Sequence, residues 1–346
     1  MDSARVSDVS KELFGMIWRQ KADEANTVAA LDLLSRMLSV HYGKQVFVIV
    51  DEYDVPMAKA LGTSYYDKVR DMIEHMLSYI CKTNRYVKGV ILSGCLCTVK
   101  NSSYTGVNNI VPYTVLTPVH ATSIGFTEDD VKKLLNDAGL SGQYDLVAEW
   151  YDGYLFGRDK MYCPWEVLSH VRSVLDGSYD EDQGPVSHWL STSEPSLNLI
   201  HGFLGKSADG NEGFERLLAG GTVDCTIDEY VPYHGIHEND ANLWSALVET
   251  GYLTKAVQGC PPLMPLRIPN RSIQKAFRQE AWNYFSDKVN SAFVRDLANA
   301  LWAGEIEIAQ DSLNRILEST LSFYHEYHEY SYHLILDSFF TELGYP

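Results

Sequence analysis

The apolar run Val46-Phe47-Val48-Ile49-Val50 ends in two adjacent carboxylates, Asp51 and Glu52. An Asp fixed at a strand end is placed to hold a divalent cation, directly or through water. A Glu beside it can polarise an attacking water as a general base. A second apolar run, Val87 to Leu92, ends in Ser93-Gly94 and brings a hydroxyl to the same kind of edge. The chemistry these residue types allow is metal-assisted attack by water, with Asp51 as metal ligand and Glu52 as general base. Each motif alone also has an ordinary reading, since any strand can end in an acid and Ser-Gly is a common turn.

Two further clusters invite chemistry. The segment Phe323-Tyr-His325-Glu-Tyr-His328-Glu329-Tyr-Ser-Tyr-His333 gathers three His within nine residues. It is not H-E-x-x-H, because Glu329 stands where the second His belongs, and its spacing fits an amphipathic helix better than a metal site. Cys95 and Cys97 could act as nucleophiles only with a lowered pKa and a base nearby, and no local residue supplies one.

These groups need elements to position them. Five consecutive β-favouring residues at 46–50 predict a strand buried on both faces, as in a central parallel strand. An amphipathic helix over 65–82, with Val69, Ile73, Met76 and Ile80 on one face, leads into the second strand at 87–92. Strand, helix, strand predicts a βαβ unit, and open α/β sheets bind ligands at the carboxyl ends of their strands. Residues 5–42 predict two helices stopped by Gly43. Thr127-Glu-Asp-Asp130 opens a helix with acids in its first turn, and the stretch to about 175 reads as helical and aromatic. The acidic segment 176–185 is the best linker by composition. Helix, short hairpin and helix between 243 and 285 are compatible with a winged-helix unit, and 287–343 reads as mostly helical.

Composition bounds the class. The chain has 346 residues, 45% apolar and 21% charged, which is ordinary globular usage and enough for about two domains. Lys and Arg number 28 against 46 Asp and Glu, a net charge of −18. That argues against a broad nucleic-acid surface, which runs on cations neutralising phosphates. No 18-residue apolar stretch and no signal-peptide pattern occur, so the expected setting is cytoplasmic, without membrane contact. Six cysteines without a C-x-x-C pair read as reduced, mostly buried thiols.

Taken in order, VFVIVDEYDVP, VKGVILSG, IGFTEDDVKKLL, WYDGYLFG, MYCPWEVL, LWSALVETGYLT and LRIPNRSIQKAF resemble the AAA-ATPase-like family. This is a family of bacterial and archaeal proteins that join an ATPase to a C-terminal PD-(D/E)XK nuclease-like domain. The resemblance implies an α/β fold: a partial P-loop NTPase-type parallel sheet over 1–125 and a helical region over 126–185. A winged-helix-like region over 186–286 and the helical start of a nuclease-like domain over 287–346 would follow. It implies ATP and Mg2+ as cofactors of intact relatives, Asp51 as the Walker B metal ligand, Glu52 as the catalytic acid beside it, and Ser93 at the sensor position. Glu329, in Glu329-Tyr-Ser-Tyr-His333, would match the first acidic position of the nuclease-like site. The sequence contains no G-x-x-x-x-G-K-[ST]. The resemblance therefore places the family's phosphate-binding loop before residue 1, and implies a chain truncated at both ends and not competent in ATP hydrolysis alone. Two alternatives remain: a non-catalytic protein-interaction module that takes a protein partner, and a remnant of a metal-dependent nuclease.

Overall fold

A computed structural model describes residues 3–82, 84–98, 107, 109–182, 184–188, 199–200, 208–258, 262–286, 291–320 and 336. It is a mixed α/β chain that forms two compact units. The first comprises residues 1–114 and 228–236, and the second 115–227 and 237–346.

In the first unit, helices α1 (Asp8–Trp18), α2 (Glu24–Val28) and α3 (Ala30–Tyr42) precede β1 (Val46–Val50). Three helices therefore stand where the apolar spacing predicted two. Asp23 starts the additional short one by accepting the Asn26 amide. Gly43 ends α3 in the left-handed conformation that glycine adopts without cost. Helices α4 (Val55–Ala60) and α5 (Tyr66–Cys81) then connect β1 to β2 (Val87–Leu92). The two strands pair in parallel, with Val48 opposite Val90 and Val50 opposite Leu92, so the βαβ unit is present.

The expectation of a strand buried on both faces is corrected. Along β1 half-buried and exposed residues alternate. Helices α3 and α5 pack on each other and on the strands. The other face is bare among the described residues, leaving Phe47, Ile49 and Ile91 at 63%, 71% and 58% exposure. A continuous apolar run reports that a strand can be buried on both sides; whether a second layer covers it is a tertiary matter.

The second unit begins its regular structure at α6 (Glu128–Asp137), opened by a capping box in which Thr127 and Asp130 satisfy each other's backbone amides. Helix α7 (Tyr144–Tyr151), the antiparallel pair β3 (Tyr154–Phe156) and β4 (Asp159–Met161), and α8 (Pro164–Leu175) follow. The stretch read as continuously helical thus contains a hairpin. Val131, Leu135, Val147, Tyr151, Tyr162, Val167 and Val171 form its core. Helix α9 (Ala208–Leu218) and β5 (Val223–Cys225) lead to α10 (Asp240–Glu249), β6 (Thr254–Lys255), β7 (Met264–Arg267) and α11 (Arg271–Ser286). The strands make one antiparallel sheet in the order β5-β7-β6. Helices α12 (Ser291–Ala303) and α13 (Ile306–Thr320) pack together.

Candidate functional site

The pairing of β1 and β2 extends past their ends and forms the site. The Ser93 amide donates to the Val50 carbonyl at 2.9 Å, and the Tyr53 amide donates to the Ser93 carbonyl at 3.0 Å. Asp51 and Glu52 therefore lie in a two-residue excursion between two bonds to the same partner residue. Closing it requires Glu52 to take a left-handed backbone, φ +52°, which costs a non-glycine residue roughly 1–2 kcal/mol. Strain of this kind persists where surrounding structure enforces it, and it concentrates at functional sites.

The Ser93 hydroxyl donates to Asp51 Oδ1, and the Glu52 amide donates to the same oxygen at 3.1 Å. Both bonds fall on Oδ1; among the described residues Oδ2 accepts none. The Asp51 and Glu52 side chains are exposed and Ser93 is half-buried. The structure therefore brings together the three residues singled out from sequence: Asp51 and Ser93 in direct contact, and Glu52 beside them. Glu329, His325, His328 and His333 lie outside the described residues. Among the described residues no cluster of three His, Cys, Asp or Glu could hold a metal ion.

Directly beneath is a residue that sequence reasoning quoted but gave no role. Asp54 is fully buried. Its Oδ2 accepts hydrogen bonds from the Cys95 amide at 3.0 Å, the Leu96 amide at 2.8 Å and the Tyr233 hydroxyl at 2.7 Å. Among the described residues its Oδ1 has no hydrogen-bond partner. Neighbouring Tyr53, also buried, donates its hydroxyl to the Leu96 carbonyl at 2.9 Å and accepts the Thr98 amide at 3.0 Å. Burial, the largest cause, holds the Tyr53 and Tyr233 phenols well above their ordinary pKa, and the Asp54 charge adds to the shift in both, so they stay protonated donors. The repeated D in D-E-Y-D was the available signal.

Cys95 is exposed and Cys97 is half-buried, both in this turn. Elsewhere, Cys225 is buried and its thiol is pushed up to about 12 by that burial and by Asp224, which makes it inert.

Residues 4–103 match the model of the AAA-ATPase-like family, described as a predicted AAA-ATPase. The chain is also 23% identical over 280 residues to an uncharacterised protein in the vnfD 5' region of Azotobacter chroococcum mcd 1. That match covers 80% of this chain and 49% of the relative, so the chain spans about half the relative's length. No solved structure matches it significantly. No described helix is long and apolar enough to cross a membrane.

Proposed function

We infer that the segment similar to the AAA-ATPase-like family carries the metal-holding and water-activating edge of an ATP-hydrolysing site, with Asp51, Glu52 and Ser93 as its working residues. The observation that carries this reading is the Ser93–Asp51 hydrogen bond at the carboxyl ends of two parallel strands. It lies within the family match and beside a strained Glu52. Open α/β sheets place ligands at that edge.

The donor set fits a hard cation. Asp51 offers an exposed carboxylate oxygen that accepts no hydrogen bond among the described residues, and hard divalent ions take oxygen ligands of this type. Mg2+, when bound, supplies charge neutralisation for phosphate oxygens. Asp51 would hold it, with Oδ1 fixed by the Ser93 hydroxyl and the Glu52 amide. In a site completed by a phosphate cradle, Glu52 would accept a proton from the attacking water as the water oxygen bonds to the terminal phosphorus and the bond to the leaving ADP breaks. The sequence supplies no G-x-x-x-x-G-K-[ST] cradle for the phosphates, so this chain binds ATP weakly and does not turn it over alone. Calorimetric titration with Mg-ATP tests this: a dissociation constant far above micromolar is expected, and micromolar affinity contradicts it.

The antiparallel pair β6 and β7 between α10 and α11, extended by β5 from before α10, supports reading that part of the second unit as winged-helix-like. A second reading, a protein-interaction module derived from the family, is favoured by the apolar face of β1 and β2 that no described element covers. A stable complex whose affinity is unchanged by Asp51→Ala would support it over the ATPase reading.

A further inference from the structure

We propose that Asp54 is the positioning residue of this site: its buried carboxylate clamps the turn after β2 so that the Ser93 hydroxyl meets Asp51, and the segment 228–236 is held by the same clamp through Tyr233. The proposal rests on the reading of Asp51 as a metal ligand and adds to it the group that fixes its geometry.

A buried carboxylate is costly unless it is well paired. Asp54 collects three donors on one oxygen, two of them consecutive backbone amides of one turn, Cys95 and Leu96. Successive amides converging on one anion form a concave anion-binding arrangement, and bonds to a charged acceptor are the strong ones. The turn begins at Gly94, whose Cα lies so close to Asp54 that a Cβ there would meet both the carboxylate and the Tyr53 ring. Tyr53 bonds the far side of the same turn, at Leu96 and Thr98. Residues 94–98 therefore hang from Tyr53 and Asp54, which stand two and three residues after Asp51. Ser93, immediately before the turn, is thereby set against Asp51 from below as well as along the strand ladder.

The third donor comes from far away in sequence. Tyr233 is 179 residues from Asp54. It sits in segment 228–236, which leaves the second unit after Ile227 and rejoins it at His237. Within the first unit this segment is also tied by Thr114 to Glu229 and by Tyr66 to His234. The carboxylate that shapes the Ser93 turn is thus the anchor of this strap, and loosening either partner loosens the other.

The test is hydrogen–deuterium exchange on the full chain, read in peptides covering 93–98, 228–236 and α5, together with Mn2+ affinity by electron paramagnetic resonance. Asp54→Asn should speed exchange in both 93–98 and 228–236 by about tenfold, leave α5 unchanged and weaken Mn2+ binding several-fold. Tyr233→Phe, which keeps the ring, should speed 93–98 to a smaller degree; it decides the matter should Asp54→Asn fail to fold. Exchange in 93–98 unchanged by either folded variant overturns the proposal. So does faster exchange with Mn2+ affinity intact, which is a merely structural role. If wild-type protein binds no Mn2+, the metal reading of Asp51 fails, and the joint response of the two peptides alone upholds or overturns the clamp.

Discussion

Gly94 packs so tightly on Asp54 that a Cβ built on it would stand 2.9 Å from the Asp54 carboxyl carbon and 2.9 Å from the Tyr53 ring. Neither neighbour can yield, since Asp54 is held by three donors and Tyr53 by two bonds. Gly94→Ala should therefore destabilise the first unit by about 2 kcal/mol through overpacking. Urea denaturation followed by far-ultraviolet circular dichroism measures it; an unchanged midpoint would mean the turn adapts freely.

Glu52 gives a result of opposite sign. Its left-handed backbone is strained for any side chain, but not for glycine. Glu52→Gly should be more stable than Glu52→Ala by about 1 kcal/mol, while both lose the proposed proton acceptor. Equal urea midpoints for the two variants would show that the strain is not there.

A second glycine ties together two of the sequence stretches that carry the family resemblance. Gly153 of WYDGY has φ +111°, and a Cβ there would run into the Pro269 carbonyl of LRIPN, whose carbon would be 2.9 Å away. The Arg267 guanidinium completes the junction by donating to the Gly153 carbonyl at 2.8 Å. Gly153→Ala combines an unfavourable backbone with a clash against backbone, so a loss of about 3 kcal/mol or more is expected. Thermal melting of the variant should show the second unit unfolding early or not assembling.

The second unit should also lose stability in mild acid. Burial, with the nearby His188 charge second, depresses the pKa of His170, and burial depresses that of His188. The unfolded chain takes up protons as pH falls through about 6.5, whereas the folded histidines resist. The unfolded state then binds more protons, so stability falls as pH drops below that value. His170→Gln should flatten the dependence of melting temperature on pH between about 6.5 and 5. An identical slope in the variant would exclude His170 as its source.

The bare face of β1 and β2 should make the chain sticky. Among the described residues this is a two-stranded parallel sheet with one uncovered apolar face, unpaired edges and exposed Phe47, Ile49 and Ile91. Replacing Phe47 and Ile49 by Thr should reduce dye binding by anilinonaphthalene sulfonate and self-association in light scattering. No reduction would mean the apolar surface lies elsewhere.

Much of the local structure is legible in the amino-acid order. The strand 87–92 and the helix starting after Thr127 coincide with their apolar runs and caps, because those signals are local. The hairpin at 154–161 escaped notice because its strands are three residues long, too short to show an alternation. Asp51, Glu52 and Ser93 could be named because each ends a strong strand. Asp54 could not be assigned a role, since two of its donors are backbone amides and the third is a tyrosine 179 residues away. The burial of β1 was misread because an apolar run records capacity for burial, and the covering layer is a matter of tertiary contacts.

The most direct measurement is Mn2+ titration by electron paramagnetic resonance, without added nucleotide, of wild-type protein, Asp51→Asn and Ser93→Ala. If Asp51 holds the cation and Ser93 orients it, wild-type protein binds Mn2+, Asp51→Asn abolishes that binding, and Ser93→Ala weakens it by about tenfold. Mn2+ binding that survives unchanged in Asp51→Asn, or that is absent from the wild-type protein, would contradict the assignment of a metal-holding edge at the ends of β1 and β2.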